Sequence, residues 1–128
     1  MKCLVVDDSA MTRRILLNSL RTIGITDTLE AVDGKQALEM CTAGVDLVIT
    51  DWNMPGMTGV DFVRGLRANP DLAAIPVLLV TSRNAKDDVV EAVNAGVNGY
   101  IIKPFTPEVL RTNIEGVLSH WDRTGSDS

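Results

Sequence analysis

The sequence predicts an α/β domain: a five-stranded parallel sheet covered by helices on both faces. Three observations carry that prediction. Short apolar runs alternate with longer segments whose apolar residues recur at helical spacing. The runs are almost continuously apolar, as strands buried on both faces require, whereas a sheet with one wet face would alternate. The 128 residues, 45% apolar and 23% charged, are enough for one core in one ordinary domain.

The first strand is Cys3–Val6, closed by Asp7 and Asp8. Met11, Ile15, Leu16, Leu20 and Ile23 mark the core stripe of a first helix, with Arg13 and Arg14 facing out and Gly24 at its end. A weak second strand falls around Thr28–Val32, then a helix on Ala37, Leu38 and Met40 that Gly44 ends. Leu47–Thr50 is the third strand and runs straight into Asp51. Thr58, three residues before Asp61, has the spacing of a capping box that opens a third helix on Val60, Phe62, Val63 and Leu66. Val77–Val80 is the fourth strand, followed by Thr81, Ser82 and a helix on Val89, Val90 and Val93 that Gly96 ends. Tyr100–Ile102 is the fifth strand, with Lys103 behind it. Pro107 fits the first turn of the last helix, which carries Val109, Leu110, Ile114, Val117, Leu118 and Trp121. All these apolar helix residues are expected in the core. The domain spans 1–121, and 122–128 forms a polar, mobile tail.

Composition removes several functions. The net charge is −5 and no stretch gathers Lys and Arg into a stripe, so this chain alone does not bind nucleic acid. No apolar run approaches the roughly 18 residues of a membrane span, and the N-terminus lacks a signal-peptide pattern. Cys3 and Cys41 make no disulfide framework and are expected as buried free thiols, which places the protein in the cytoplasm.

Right-handed crossovers bring every strand C-terminus to one edge, where open α/β sheets bind ligands. Asp7 and Asp8, Thr50 and Asp51, Thr81 and Ser82, and Lys103 therefore converge. Singly, each has an ordinary structural role: Asp8 as a helix cap, Thr81 as a strand-end hydroxyl, Lys103 as a solvated amine. Jointly they form a set. Three carboxylates repel one another, Lys103 offsets one charge, and a divalent ion would complete the neutralisation. An all-oxygen site with no His or Cys nearby suits Mg2+ rather than zinc. Such a site recruits a phosphoryl donor, and an aspartate can accept the group as an acyl phosphate. Asp51 is the candidate nucleophile, and the proline and glycines of "DWNMPGMTG" let the chain turn sharply behind it.

The acidic pair after strand one, "DWNMPGMTG", the Thr after strand four and "YIIKPF" occur in order over about residues 1–121. In this the chain resembles the receiver domain of two-component response regulators, most closely the stand-alone chemotaxis type. The resemblance implies a doubly wound, flavodoxin-like sheet in the order 2-1-3-4-5. It implies Asp51 as phosphoacceptor from a sensor histidine kinase. Asp8, Asp51 and the backbone carbonyl of Asn53 would bind Mg2+, with Asp7 acting through water. Thr81 and Lys103 would hold phosphoryl oxygens, Tyr100 would turn inward as Thr81 moves, and Pro104 would follow a cis peptide. Asn53 and Arg83 occupy the positions that tune dephosphorylation, where an Arg could stack or pair over the phosphoryl group. Thr58 stands where Asp or Asn is frequent, and it caps a helix equally well.

The implied activity is that of a switch, not an enzyme: phosphorylation adds charge and acceptor oxygens, and helix four, strand five and helix five form the surface that responds. Partners implied are the kinase and a downstream protein such as a flagellar motor component, a kinase or a phosphotransfer protein. The chain is expected to be a monomer, with an activation-dependent dimer open to it. It could be complete, excised from a longer regulator, or a phosphorelay intermediate. A phosphatase with an Asp nucleophile is a rival reading, but it needs a second carboxylate where Asn53 stands. A flavin mononucleotide carrier needs a neutral phosphate loop, and Asp7 and Asp8 would repel that phosphate. Trp52 is expected half-exposed at the site's rim, where its fluorescence should report on metal binding, and His120 as a partner of a helix C-terminus.

Overall fold

The computed structural model describes residues 1–125, with side chains described through Leu118. Its elements run β1 (Lys2–Val6), α1 (Ala10–Thr22), β2 (Asp27–Ala31), α2 (Gly34–Met40), β3 (Leu47–Thr50), α3 (Gly59–Ala68), β4 (Val77–Thr81), α4 (Lys86–Ala95), β5 (Gly99–Ile102) and α5 (Pro107–Gly125). All pairings are parallel and the strand order is β2-β1-β3-β4-β5, as the resemblance implied. The last helix continues past residue 121, where the sequence set the domain's end. Residues 126–128 and the side chains of His120 and Trp121 lie outside the described residues.

The apolar strands fill two cores, one on each face. Leu4 and Val6, Val48, and Val77 and Leu79 pack with Ala37 of α2, with Phe62, Val63 and Leu66 of α3, and with Ala92 of α4. Their neighbours Cys3 and Val5, Leu47 and Ile49, and Leu78 and Val80 pack with Leu16 and Leu20 of α1 and with Leu110, Ile114 and Val117 of α5. Successive residues of a strand point to opposite faces, so burial on both sides demands the unbroken apolar runs seen in the sequence.

Side-chain caps set the starts of α1, α2 and α3. Ser9 accepts from the Thr12 amide, Asp33 from Gln36 and Thr58 from Asp61, each offsetting an otherwise unpaired N–H worth about 1 kcal/mol. Gly96 ends α4 in the left-handed region at φ 110°, which a side chain would strain. Gly44 does no such work, since α2 already stops at Met40. At the sheet end remote from Asp51, Arg67 of α3 donates to the carbonyls of Ala73, Ile75 and Gly96 and to Asn98 Oδ1. Those bonds tie α3 to the far ends of β4 and α4.

Several expected core residues face solvent instead. Met11 is 75% exposed and Ile15, Val90, Val93 and Val109 are also exposed. An amphipathic helix buries only the arc that meets the sheet, and in α1 that arc is Leu16, Ser19 and Leu20. Strand β2 stops at Ala31, leaving Val32 exposed.

Candidate functional site: an acidic cluster with a lysine at the sheet edge

The register builds the site. Val6 of β1 pairs with Thr50 of β3, so the next residues, Asp7 and Asp51, emerge side by side. Backbone bonds hold both: the Asp51 amide donates to the Val6 carbonyl at 3.0 Å and the Asp7 amide to the Ala31 carbonyl at 3.1 Å. Carboxylate oxygens of Asp7, Asp8 and Asp51 lie within 4.8 Å of one another. Lys103 arrives from the far side of the sheet, its own amide bonded to the Thr81 carbonyl at 2.9 Å. Its Nζ stands 3.2 Å from Asp51 Oδ2 and 3.5 Å from Asp7 Oδ2. The Lys103–Pro104 peptide is cis, as expected.

The acids differ in environment. Asp7 is 1% exposed and Asp51 is buried, while Asp8 is exposed. Burial raises the Asp7 carboxyl above its usual range, opposed by the Ser9 amide and by Lys103 and reinforced by the Asp51 charge. Asp51 Oδ1 accepts from the Trp52 amide at 2.6 Å, which leaves Oδ2 toward the lysine. Three carboxylates against one amine leave a surplus near −2. That surplus, the exposure of Asp8 and an all-oxygen donor set fit a hard divalent cation such as Mg2+.

The loop after β3 is shaped by close approach. Gly59 packs so tightly that a Cβ there would overlap the Asp51 carbonyl oxygen. Its amide donates to the Trp52 carbonyl at 2.8 Å, folding the loop back on itself. Trp52 is not half-exposed as expected: it is 4% exposed, with the Arg83 guanidinium 4.6 Å over its ring. Arg83 reaches it from the β4–α4 loop, 31 residues on. Its Nε also donates to Asn53 Oδ1 at 3.0 Å and its Nη1 pairs with Asp88 at 3.4 Å.

Thr81 is fully buried at the end of β4, its hydroxyl accepting from the Arg83 amide at 3.3 Å. Tyr100, on β5, is half-buried and donates its hydroxyl to the Arg83 carbonyl at 2.7 Å. Burial and the Asp88 charge raise its phenol above the usual range. Thus Asp7, Asp8, Asp51 and Lys103 form one cluster, and Asn53, Thr81 and Tyr100 join through Arg83. Arg13 was missed: it is not turned to solvent but donates to the Asp7 carbonyl at 2.7 Å and pairs with Glu30 at 3.1 Å.

Comparison with known proteins agrees with this geometry. The response regulator receiver domain family matches residues 3–115. The chain is 52% identical over 119 residues to the chemotaxis protein CheY of Pseudomonas aeruginosa, covering 92% of this chain and 96% of that protein. It is 47% identical over 119 residues to CheY-3 of Vibrio cholerae, covering 92% of each. Among solved structures, Vibrio cholerae CheY4 superposes with a TM-score of 0.82 at 33% identity, covering 91% of this chain and 97% of that one. An acid-rich sheet edge built on this strand order, matched over nearly its whole length, places the chain in the family of response regulator receiver domains.

Proposed function

We propose that the protein is a phosphorylatable switch whose acceptor is Asp51. The Asp51 oxygen bonds to phosphorus as the P–N bond of a phosphohistidine on a sensor kinase breaks, and the imidazole leaves with the electron pair. Asp8, Asp51 and the Asn53 carbonyl would hold Mg2+, with Asp7 acting through water. When bound, the ion supplies charge neutralisation at the transferring group. Lys103 and Thr81 then serve as donors to the new oxygens, and drawing them in moves the loops that lead to α4 and β5. One observation carries the reading: the Asp51 carboxylate sits inside an acid cluster with an amine 3.2 Å away.

The output surface would be α4, β5 and α5, where Val90, Val93 and Ile102 are exposed apolar residues suited to a protein partner. Tyr100, on β5 itself, donates its hydroxyl to the Arg83 carbonyl in the β4–α4 loop. The relatives named for chemotaxis support a partner of that kind. No described helix is long and apolar enough to cross a membrane. Cys3 and Cys41 are free and buried, in keeping with a reducing cytoplasm.

The test is intact-mass analysis after incubation with Mg2+ and a small acyl phosphate. The wild type should gain one phosphoryl group, and Asp51→Asn should not. Equal labelling of both would refute Asp51 as acceptor.

A further inference from the structure

Arg13 lies on the first turns of α1, yet its side chain is only 15% exposed. Its Nη1 donates to the Asp7 carbonyl at 2.7 Å and its Nε to Glu30 Oε1 at 3.1 Å, Glu30 belonging to β2. The carbonyl so gripped belongs to the peptide that joins Asp7 to Asp8. The Asp7 carboxylate has restraints of its own, the Ser9 amide at 2.8 Å and Lys103 at 3.5 Å. Asp8 is exposed, and no hydrogen bond among the described residues restrains its carboxylate. Among these contacts, the one that bears on where Asp8 points is the grip on the peptide plane that precedes it.

We propose that Arg13 is a positioning residue for the divalent ion. Braced by Glu30, it fixes the Asp7–Asp8 peptide so that the Asp8 carboxylate stays turned toward Asp51. The inference rests on the magnesium reading above and adds a residue that is not itself a donor. Charge and positioning predict opposite signs here. A guanidinium beside three carboxylates repels an incoming cation, so on charge alone its removal tightens binding. Positioning requires that removal weaken binding, since outer-shell partners of metal ligands typically carry about 10- to 100-fold in affinity.

The test titrates MgCl2 into the full chain at fixed ionic strength, by calorimetry and by indole emission in a Trp121→Phe background that leaves Trp52 as the sole indole. Arg13→Ala should raise the Mg2+ dissociation constant roughly 10-fold. Arg13→Lys keeps the charge but loses the fork that spans two acceptors, and should raise it roughly threefold. Glu30→Gln keeps an acceptor for Arg13 and should stay near wild type. Melting temperatures in EDTA within about 2 °C of wild type separate lost affinity from lost fold. Unchanged or tighter binding by Arg13→Ala overturns the proposal, as does a loss of affinity matched by metal-free destabilisation. A wild type giving neither heat nor emission change with Mg2+ would overturn the metal site itself, and the role of Arg13 with it.

Discussion

Lys103 Nζ lies 3.2 Å from Asp51 Oδ2, so the proposed nucleophile is paired with an amine. The pairing has two consequences of opposite kind. It lowers repulsion among the acids, and it competes with any cation that would bind there. The side chains of Lys103 and Asp51 are 25% and 12% exposed, so water screens the attraction only in part.

Replacing Lys103 with Met removes the competitor while keeping an unbranched side chain only one atom shorter. Mg2+ should then bind roughly threefold more tightly, well short of the unscreened Coulomb figure. Asp51 should still be phosphorylated, but an acyl-phosphate mimic should no longer shift the NMR signals of Thr81 and Tyr100. Weaker Mg2+ binding, or an unaltered response at both residues, would contradict this account of the amine.

Asp7→Asn tests the cost of the buried acid. Its carboxyl titrates above the usual 3.8, chiefly through burial, so the folded state holds that proton more tightly than the unfolded chain does. The associated stability is therefore complete below the unfolded value and is lost as pH rises through the raised one. In EDTA at pH 7, Asp7→Asn should unfold at higher urea than wild type, and the gap should close below about pH 4. The same variant should bind Mg2+ more weakly. A less stable variant at pH 7 would show that the Ser9 and Lys103 bonds outweigh burial.

Gly59→Ala addresses the loop that carries the site. A methyl there meets the Asp51 carbonyl oxygen, and making room for it strains the hydrogen bond that the Gly59 amide donates to the Trp52 carbonyl. The expected loss is about 3 kcal/mol or more by urea unfolding, at the upper end for overpacking a tight site. Wild-type stability would mean the loop shifts freely.

The strands were legible because burial on both faces writes itself as unbroken apolar runs, and the acids because they follow those runs directly. What local pattern could not convey was which arc of a helix meets the sheet. Met11 and Ile15 share helical spacing with Leu16 and Leu20, but only the latter pair reaches the core. Nor could spacing show that Trp52 is covered, because its cover comes from Arg83, a residue distant in sequence. Arg13 was hidden for a similar reason. Its inward turn depends on Glu30 of a neighbouring strand, and the only sequence trace is a basic residue one turn after the acidic pair with an acid on strand two.

Arg83 itself supplies the last prediction. The expectation that an Arg at this position would stack or pair left the sign of its effect on dephosphorylation undetermined, and we infer that sign from its contacts. Its Nε donates to Asn53 Oδ1 at 3.0 Å, taking one of that oxygen's two lone pairs and placing the guanidinium where a water would approach the proposed Asp51 phosphoryl group. Its guanidinium also lies over Trp52 and is anchored at Asp88. Arg83→Ala frees the Asn53 oxygen and uncovers the indole. Self-dephosphorylation should therefore quicken, by up to about tenfold, equivalent to ~1.4 kcal/mol or roughly one hydrogen bond released. Trp52 emission should shift to the red as water reaches the ring. Arg83→Lys can still pair with Asp88 but cannot stack and fork together, so its rate should fall between the two. The decay of radiolabelled protein after rapid removal of donor measures all three. A slower decay in Arg83→Ala would mean that the guanidinium helps the attacking water, and the cover it forms over Asn53 would then not be what protects the acyl phosphate.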